Sequence, residues 1–137
     1  MRGLAAFEGT WRIIRRIDDR LDRQSGRFEG IARLTPCAGG LRYREEGVLR
    51  LGAAPAMNAT RSYLWRAEGA AIAVHFEDDR LFHRFDPTLA HPAADHACDP
   101  DSYNVLYDFS LWPEWRAVWN VTGPRKAYRM ESTYRRG

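Results

Sequence analysis

The stretch Ile72-Ala73-Val74-His75-Phe76-Glu77-Asp78-Asp79-Arg80-Leu81-Phe82-His83-Arg84-Phe85-Asp86 reads as two short strands folded back on each other. A two-residue turn at Asp78-Asp79 sets Glu77 opposite Arg80. Residues opposed across a hairpin share a face. One face then carries Ile72, Val74, Phe76, Leu81, His83 and Phe85, and the other Ala73, His75, Glu77, Arg80, Phe82 and Arg84. The first face is the apolar one and belongs inside. It holds a single polar group, His83, opposite Val74. A slip of one residue would reverse every side chain, so the assignment depends on the turn.

Outward from this hairpin the period stays at two. Phe28, Gly30, Ala32 and Leu34 alternate with Arg27, Glu29, Ile31 and Arg33, and Leu41, Tyr43, Glu45, Gly47, Leu49 and Leu51 with Arg42, Arg44, Glu46, Val48 and Arg50. The same pattern runs through Met57, Ala59, Arg61, Tyr63 and Trp65, then Tyr103, Val105, Tyr107 and Phe109. It returns in Trp115, Ala117, Trp119 and Val121, and in Tyr128, Met130, Ser132 and Tyr134. Such alternation marks strands with one buried face. Turn signals separate the runs, among them Gln24-Ser25-Gly26, Ala38-Gly39-Gly40, Glu68-Gly69, Asp99-Pro100-Asp101 and Gly123-Pro124. Short helical turns are expected only at residues 2–6 and 110–114. About ten strands joined by consecutive hairpins give an all-β fold, a single antiparallel up-and-down barrel spanning residues 1–137 as one domain. Closure removes the strand edges that would otherwise be exposed.

The chain has 137 residues, 45% of them hydrophobic and 28% charged, the balance of a globular protein. No apolar run approaches the length of a membrane helix, and the first residues carry no secretory pattern. A net charge of +3 invites a nucleic-acid partner, but the arginines are interleaved with acids, as in Arg15-Arg16-Ile17-Asp18-Asp19-Arg20 and Arg42-Tyr43-Arg44-Glu45-Glu46. Alternating signs read as solvated, salt-bridged faces and speak against a phosphate-binding stripe. Cys37 and Cys98 form no CxxC pair. Two lone thiols fit a reducing cytoplasm and no bridge. The oligomeric state is left open, a homodimer included.

Near the start stands Phe7-Glu8-Gly9-Thr10-Trp11. Gly-x-Trp opening a first strand resembles the signature of the lipocalin-like, or calycin, superfamily, which implies a barrel whose closed end is plugged by the indole. From Phe7 to Arg135 the chain is similar to an uncharacterised bacterial family, a domain of unknown function. The carriers include Gly26-x-Phe28-x-Gly30, Leu41-x-Tyr43-x-Glu45-Glu46-Gly47, Tyr63-x-Trp65-Arg66, Phe82-His83-x-Phe85-Asp86, His96-x-Cys98 and Trp119-x-Val121-x-Gly123-Pro124-x-Lys126. The resemblance implies a fold and no activity. Nitrobindin-like haem barrels share the strand count and Gly-x-Trp but ligate haem through a histidine near the C-terminus, and here none follows His96. In an up-and-down barrel the last strand returns beside the first. Gly9, Trp11 and Arg135 are therefore expected to form the closure, with Arg135, or failing it Arg136 or Arg129, over the Trp11 ring.

Inward parity gathers His83, Glu45, Arg61, Tyr103, Tyr107 and Trp119, and His96 joins them if Ala94, His96 and Cys98 face inward. Each has a structural reading too: Glu45 and Arg61 as an internal ion pair, the tyrosines and Trp119 as core with satisfied tips, His83 as a core histidine. Together they are more polar than a dry core wants, and a ligand cavity accommodates them better. His83, Asp86, His96 and Cys98 are metal-ligand types without a metal signature. His-x-x-Asp on a strand places its side chains on opposite faces, Asp86-Pro87 reads as a turn, and Cys98 as a small buried hydrophobe. No metal and no cofactor are expected.

Three functions follow. The first is a cytoplasmic binding barrel for a small amphipathic ligand, with Arg61 on an anionic head and His83 and the tyrosines making directional hydrogen bonds. The second is a small isomerase or dehydratase using His83 as general acid or base, the one catalytic candidate, with Tyr103 or Tyr107 polarising a carbonyl. The third is a non-catalytic interaction module with a filled core and an exposed aromatic patch.

Overall fold

The computed structural model describes residues 2–137. A short 3-10 turn, Leu4–Phe7, precedes ten strands. These are β1 (Gly9–Asp19), β2 (Gln24–Cys37), β3 (Gly40–Leu51), β4 (Met57–Glu68), β5 (Ala71–His75), β6 (Leu81–Phe85), β7 (Ala93–Cys98), β8 (Asp101–Asp108), β9 (Trp115–Gly123) and β10 (Lys126–Arg136). Every pairing is antiparallel, in the order β6-β5-β4-β3-β2-β1-β10-β9-β8-β7. The expected ten-stranded, nearly closed barrel is present, with β10 returning beside β1. Of the two short helical turns expected, the first is the 3-10 turn and the second is a non-helical turn. Among the described residues no helix is long and apolar enough to cross a membrane.

Gly30 and Gly47 face each other across β2 and β3. A Cβ on Gly30 would approach the Glu46 carbonyl oxygen to 2.3 Å, so the two strands come closer here than any side chain permits. The remaining seam lies between β6 and β7. These edges share no ladder, and ring contacts span them, with Phe82 5.2 Å and Phe76 6.0 Å from His96.

One end of the barrel is sealed by aromatic rings. Phe7 is fully buried and meets Trp65, Phe109, Trp112 and Trp115 edge-on at 4.9–5.6 Å. The Trp11 indole is fully buried and donates to the Phe7 carbonyl at 2.9 Å. The guanidinium over this ring belongs to Arg136, 3.9 Å from its centroid, and not to Arg135. Register explains the difference: Trp11 opposes Arg136, whereas Arg135 opposes Arg12 on the outer face and pairs with Glu114 at 2.6 Å. Arg136 also donates to the Glu8 and Ala6 carbonyls, both at 2.7 Å. Gly9 sits beneath it with φ of 122°, and a Cβ there would lie 2.8 Å from Arg136 Nη1.

The hairpin departs from expectation at its tip. Ile72–Phe85, Ala73–Arg84 and Val74–His83 pair as read from sequence, but His75 then opposes Leu81. The Phe76 N–H donates to the Arg80 carbonyl and the Asp79 N–H to the Phe76 carbonyl, a wider turn than Asp78-Asp79 alone. Phe82 becomes the extra residue of a bulge. Expected outside, it turns into the barrel, is 7% exposed, and stacks on Phe76 at 4.6 Å and Trp119 at 5.1 Å. A bulge re-aims the side chain it carries, and here the aromatic area gained inside the barrel favours that turn.

Candidate functional site

Beyond the sealed end the barrel holds a cavity of about 250 Å³. This lies just under the ~300–1,000 Å³ common for small-molecule sites. It opens at the opposite end of the barrel, where Arg61, Cys98, Tyr103 and Tyr128 reach solvent. All seven expected ligand residues line it: His83, His96, Glu45, Arg61, Tyr103, Tyr107 and Trp119.

Their partners differ from those expected. Glu45 stands opposite Arg61 in the β3–β4 register, yet its carboxylate is taken by Arg15 of β1. Arg15 donates from Nη1 to Oε2 at 2.7 Å, from Nη2 to Oε1 at 3.0 Å, and from Nε to Ser132 Oγ at 2.7 Å. Tyr43 donates its hydroxyl proton to Glu45 Oε1 and shares a 2.9 Å hydrogen bond with the Tyr134 hydroxyl. Arg15 and Glu45 are both buried, 6% and 3% exposed. Burial alone would push the Glu45 carboxyl up, but the Arg15 hydrogen bonds and charge outweigh it and hold the group below the usual carboxylate range. The internal ion pair therefore exists with a different cation. Arg15, expected on a solvated face, continues the inward series Trp11, Ile13, Arg15.

Arg61 is left over. Among the described residues its guanidinium makes neither an ion pair nor a hydrogen bond. Partial desolvation by the surrounding wall opposes its charge although the residue is exposed, while Tyr63 and Glu45 raise its pKa above the ordinary value, so it stays cationic.

His83 is 5% exposed and its Nε2 lies 2.8 Å from the Tyr107 hydroxyl. Among the described residues its Nδ1 has no partner. Burial, reinforced by His96, lowers its pKa to about 3, which makes it a neutral imidazole at neutral pH. His96 stands at the β6–β7 seam against Phe82 and Phe76. Tyr103 is near the mouth, where its hydroxyl accepts from Lys126 at 3.3 Å. Trp119 presents its ring edge-on to His83 at 5.1 Å.

Sequence reasoning missed Arg15, Tyr43, Tyr134, Trp115 and Phe82 as wall residues. The first four carry the inward parity of their strands and were legible by that rule, whereas Phe82 is visible only through the bulge. Two metal-related readings change. Asp86 does cap a turn, accepting from the Thr88 N–H at 2.9 Å. Cys98 is exposed at the mouth and not a buried hydrophobe, because it ends β7 where the barrel opens. No group of three His, Cys, Asp or Glu side chains disposed around one point occurs among the described residues.

Residues 7–136 match a family described as a family of unknown function, DUF6314. No curated protein matches the chain. Among solved structures, the S-type phycobiliprotein lyase CPES from Guillardia theta is similar in fold, with a TM-score of 0.62 and 10% identity over 98% of this chain and 90% of that one. At that identity the likeness shows the fold alone.

Proposed function

The chain belongs to the family of unknown function DUF6314, so its role has to be read from its own cavity, and we propose that it is a cytoplasmic binding barrel for a small amphipathic anion. One observation carries this reading. The cavity wall holds two arginines and one carboxylate, and the carboxylate is saturated by Arg15, which leaves Arg61 as an unpaired cation at the mouth. Arg61 is exposed at the mouth, so water solvates its charge until a ligand arrives, and an anionic head then supplies the counter-ion that the described residues do not. The rings behind it, with Phe82 flanked by Trp119 and Phe76, offer apolar area for the rest of the ligand. The exposed free thiols Cys37 and Cys98 suit a reducing compartment.

The His83–Tyr107 contact favours a second reading, an isomerase or dehydratase with His83 as the acid–base group. A pKa of about 3 makes His83 a weak base at neutral pH, which ranks this reading second. The interaction-module reading called for a filled core, and the cavity speaks against it.

The test is a titration with benzoate and its neutral isostere benzamide, followed through the fluorescence of the wall indoles Trp115 and Trp119. Binding of benzoate roughly tenfold or more above benzamide, lost in Arg61→Gln, supports the reading. Equal binding of the two by the wild type contradicts it.

A further inference from the structure

We infer that Phe82 sets the size of the ligand: its ring, turned into the barrel by a bulge, limits the cavity to anions built on a single ring. The inference rests on the binding reading above and adds the size class of the ligand and the residue that enforces it.

A regular strand turns successive side chains to opposite faces. Phe82 and His83 are neighbours on β6, yet both line the cavity. The exception is possible because Phe82 stands unpaired between the His75–Leu81 and Val74–His83 pairs. Bulges of this kind re-aim a side chain and are over-represented beside functional sites. In a regular strand Phe82 would share the outer face with Arg84, and the cavity would be wider by a phenyl ring.

Six rings surround Phe82. Phe76, Tyr63 and Trp119 lie within 25° of parallel to it, with centroids at 4.6, 5.7 and 5.1 Å. His83, His96 and Tyr103 meet it edge-on at 4.7, 5.2 and 5.8 Å. All six also line the cavity. Phe82 therefore projects from the wall, and the space its ring fills would join the cavity if the ring were removed. Phe85, three residues along the same strand, is the contrast. It is buried but does not line the cavity, and neither do Phe7 and Phe109, two of the rings that touch it.

The size limit follows from the space that remains. An apolar cavity of ~150 Å³ accepts benzene. Here about 250 Å³ has to take the apolar body together with a head that reaches Arg61 at the mouth. One ring and its carboxylate fit. A second fused ring has room only if Phe82 yields, and forcing extra volume into a packed wall is unfavourable.

Calorimetric titration of benzoate and 1-naphthoate into the wild type, Phe82→Ala and Phe85→Ala tests this. The wild type is expected to bind benzoate roughly tenfold or more tighter than 1-naphthoate. Phe82→Ala is expected to reverse that order. Phe85→Ala, which removes the same atoms from behind the wall, is expected to keep it. Wild-type binding of 1-naphthoate as tight as that of benzoate overturns the inference while the anion-binding reading stands. So does an unchanged order in folded Phe82→Ala, or the same reversal in Phe85→Ala. If the wild type binds neither carboxylate, the binding reading itself fails and the inference falls with it. If Phe82→Ala does not fold, Phe82→Leu replaces it: a shift towards 1-naphthoate supports the inference, and no shift contradicts it.

Discussion

Arg61 faces Glu45 directly across the β3–β4 ladder and yet forms no ion pair with it, because Arg15 of β1 reaches over Phe28 of the intervening β2 and holds the carboxylate bidentately. Two like charges therefore share one carboxylate's neighbourhood, and only one of them is neutralised. This asymmetry separates a structural arginine from one that is free to meet a ligand. It predicts opposite outcomes for substitutions that look alike on paper.

Arg15→Gln is expected to destabilise the fold by roughly 3–5 kcal/mol, since it leaves a buried carboxylate without its cation. Arg61→Gln is expected to change stability by no more than about 0.5 kcal/mol and to weaken anion binding. Urea unfolding of both variants checks the pair. Equal losses would show that Arg61, too, is part of the internal network.

Acid is expected to weaken the fold in a window set by His83. Its folded pKa of about 3 lies below the model-compound value of 6.5. Between those limits the unfolded chain binds the proton more readily, so stability falls as pH falls from about 6.5 towards 3. The slope approaches about 1.4 kcal/mol per pH unit, and the total is roughly 3–5 kcal/mol. Glu45 adds its own loss at lower pH: its depressed carboxyl stabilises the fold above the ordinary value of 4.5, and that contribution disappears as pH falls further. Unfolding free energies of the wild type and His83→Gln between pH 6.5 and 4.5 isolate the histidine, and the variant should lose most of the slope there. An unchanged slope would assign it to other groups.

Much of this was legible in the sequence, because a period of two is robust wherever one face is buried. Parity alone placed His83, Tyr107, Trp119 and Arg61 on the cavity wall. Partner choice was not legible. Register sets Glu45 opposite Arg61, but a long arginine on β1 reaches over β2, and the pairing of adjacent strands carries no information about contacts two strands apart. The Phe82 bulge was hidden for a related reason: the tip of a hairpin settles its register through local backbone hydrogen bonds, and Phe82 could turn inward without disturbing the three pairs behind it. The closing arginine is Arg136, the fallback to Arg135, and the shift of one residue puts it on the opposite face of the strand.

At the sealed end, Gly9→Ala is expected to cost roughly 1–3 kcal/mol, because its φ of 122° strains any side-chain-bearing residue and the added Cβ meets Arg136. Arg136→Ala is expected to cost about 0.5–2 kcal/mol through loss of its contact with the Trp11 ring, depending on how much water reaches the pair. Arg135→Ala, which removes only an exposed pair with Glu114, should be near neutral. Thermal unfolding of the three variants should rank them in that order, and an Arg135→Ala loss exceeding that of Arg136→Ala would refute the closure described here.

The central claim is that a small anion enters the barrel and is held at Arg61. A crystal soaked with 4-bromobenzoate tests it most directly, because bromine locates itself by anomalous scattering. The account predicts a bromine peak inside the cavity, near Phe82 and Trp119, with the carboxylate on the Arg61 guanidinium. A ligand found only on the outer surface, or one inside the barrel with its carboxylate turned away from Arg61, would contradict it.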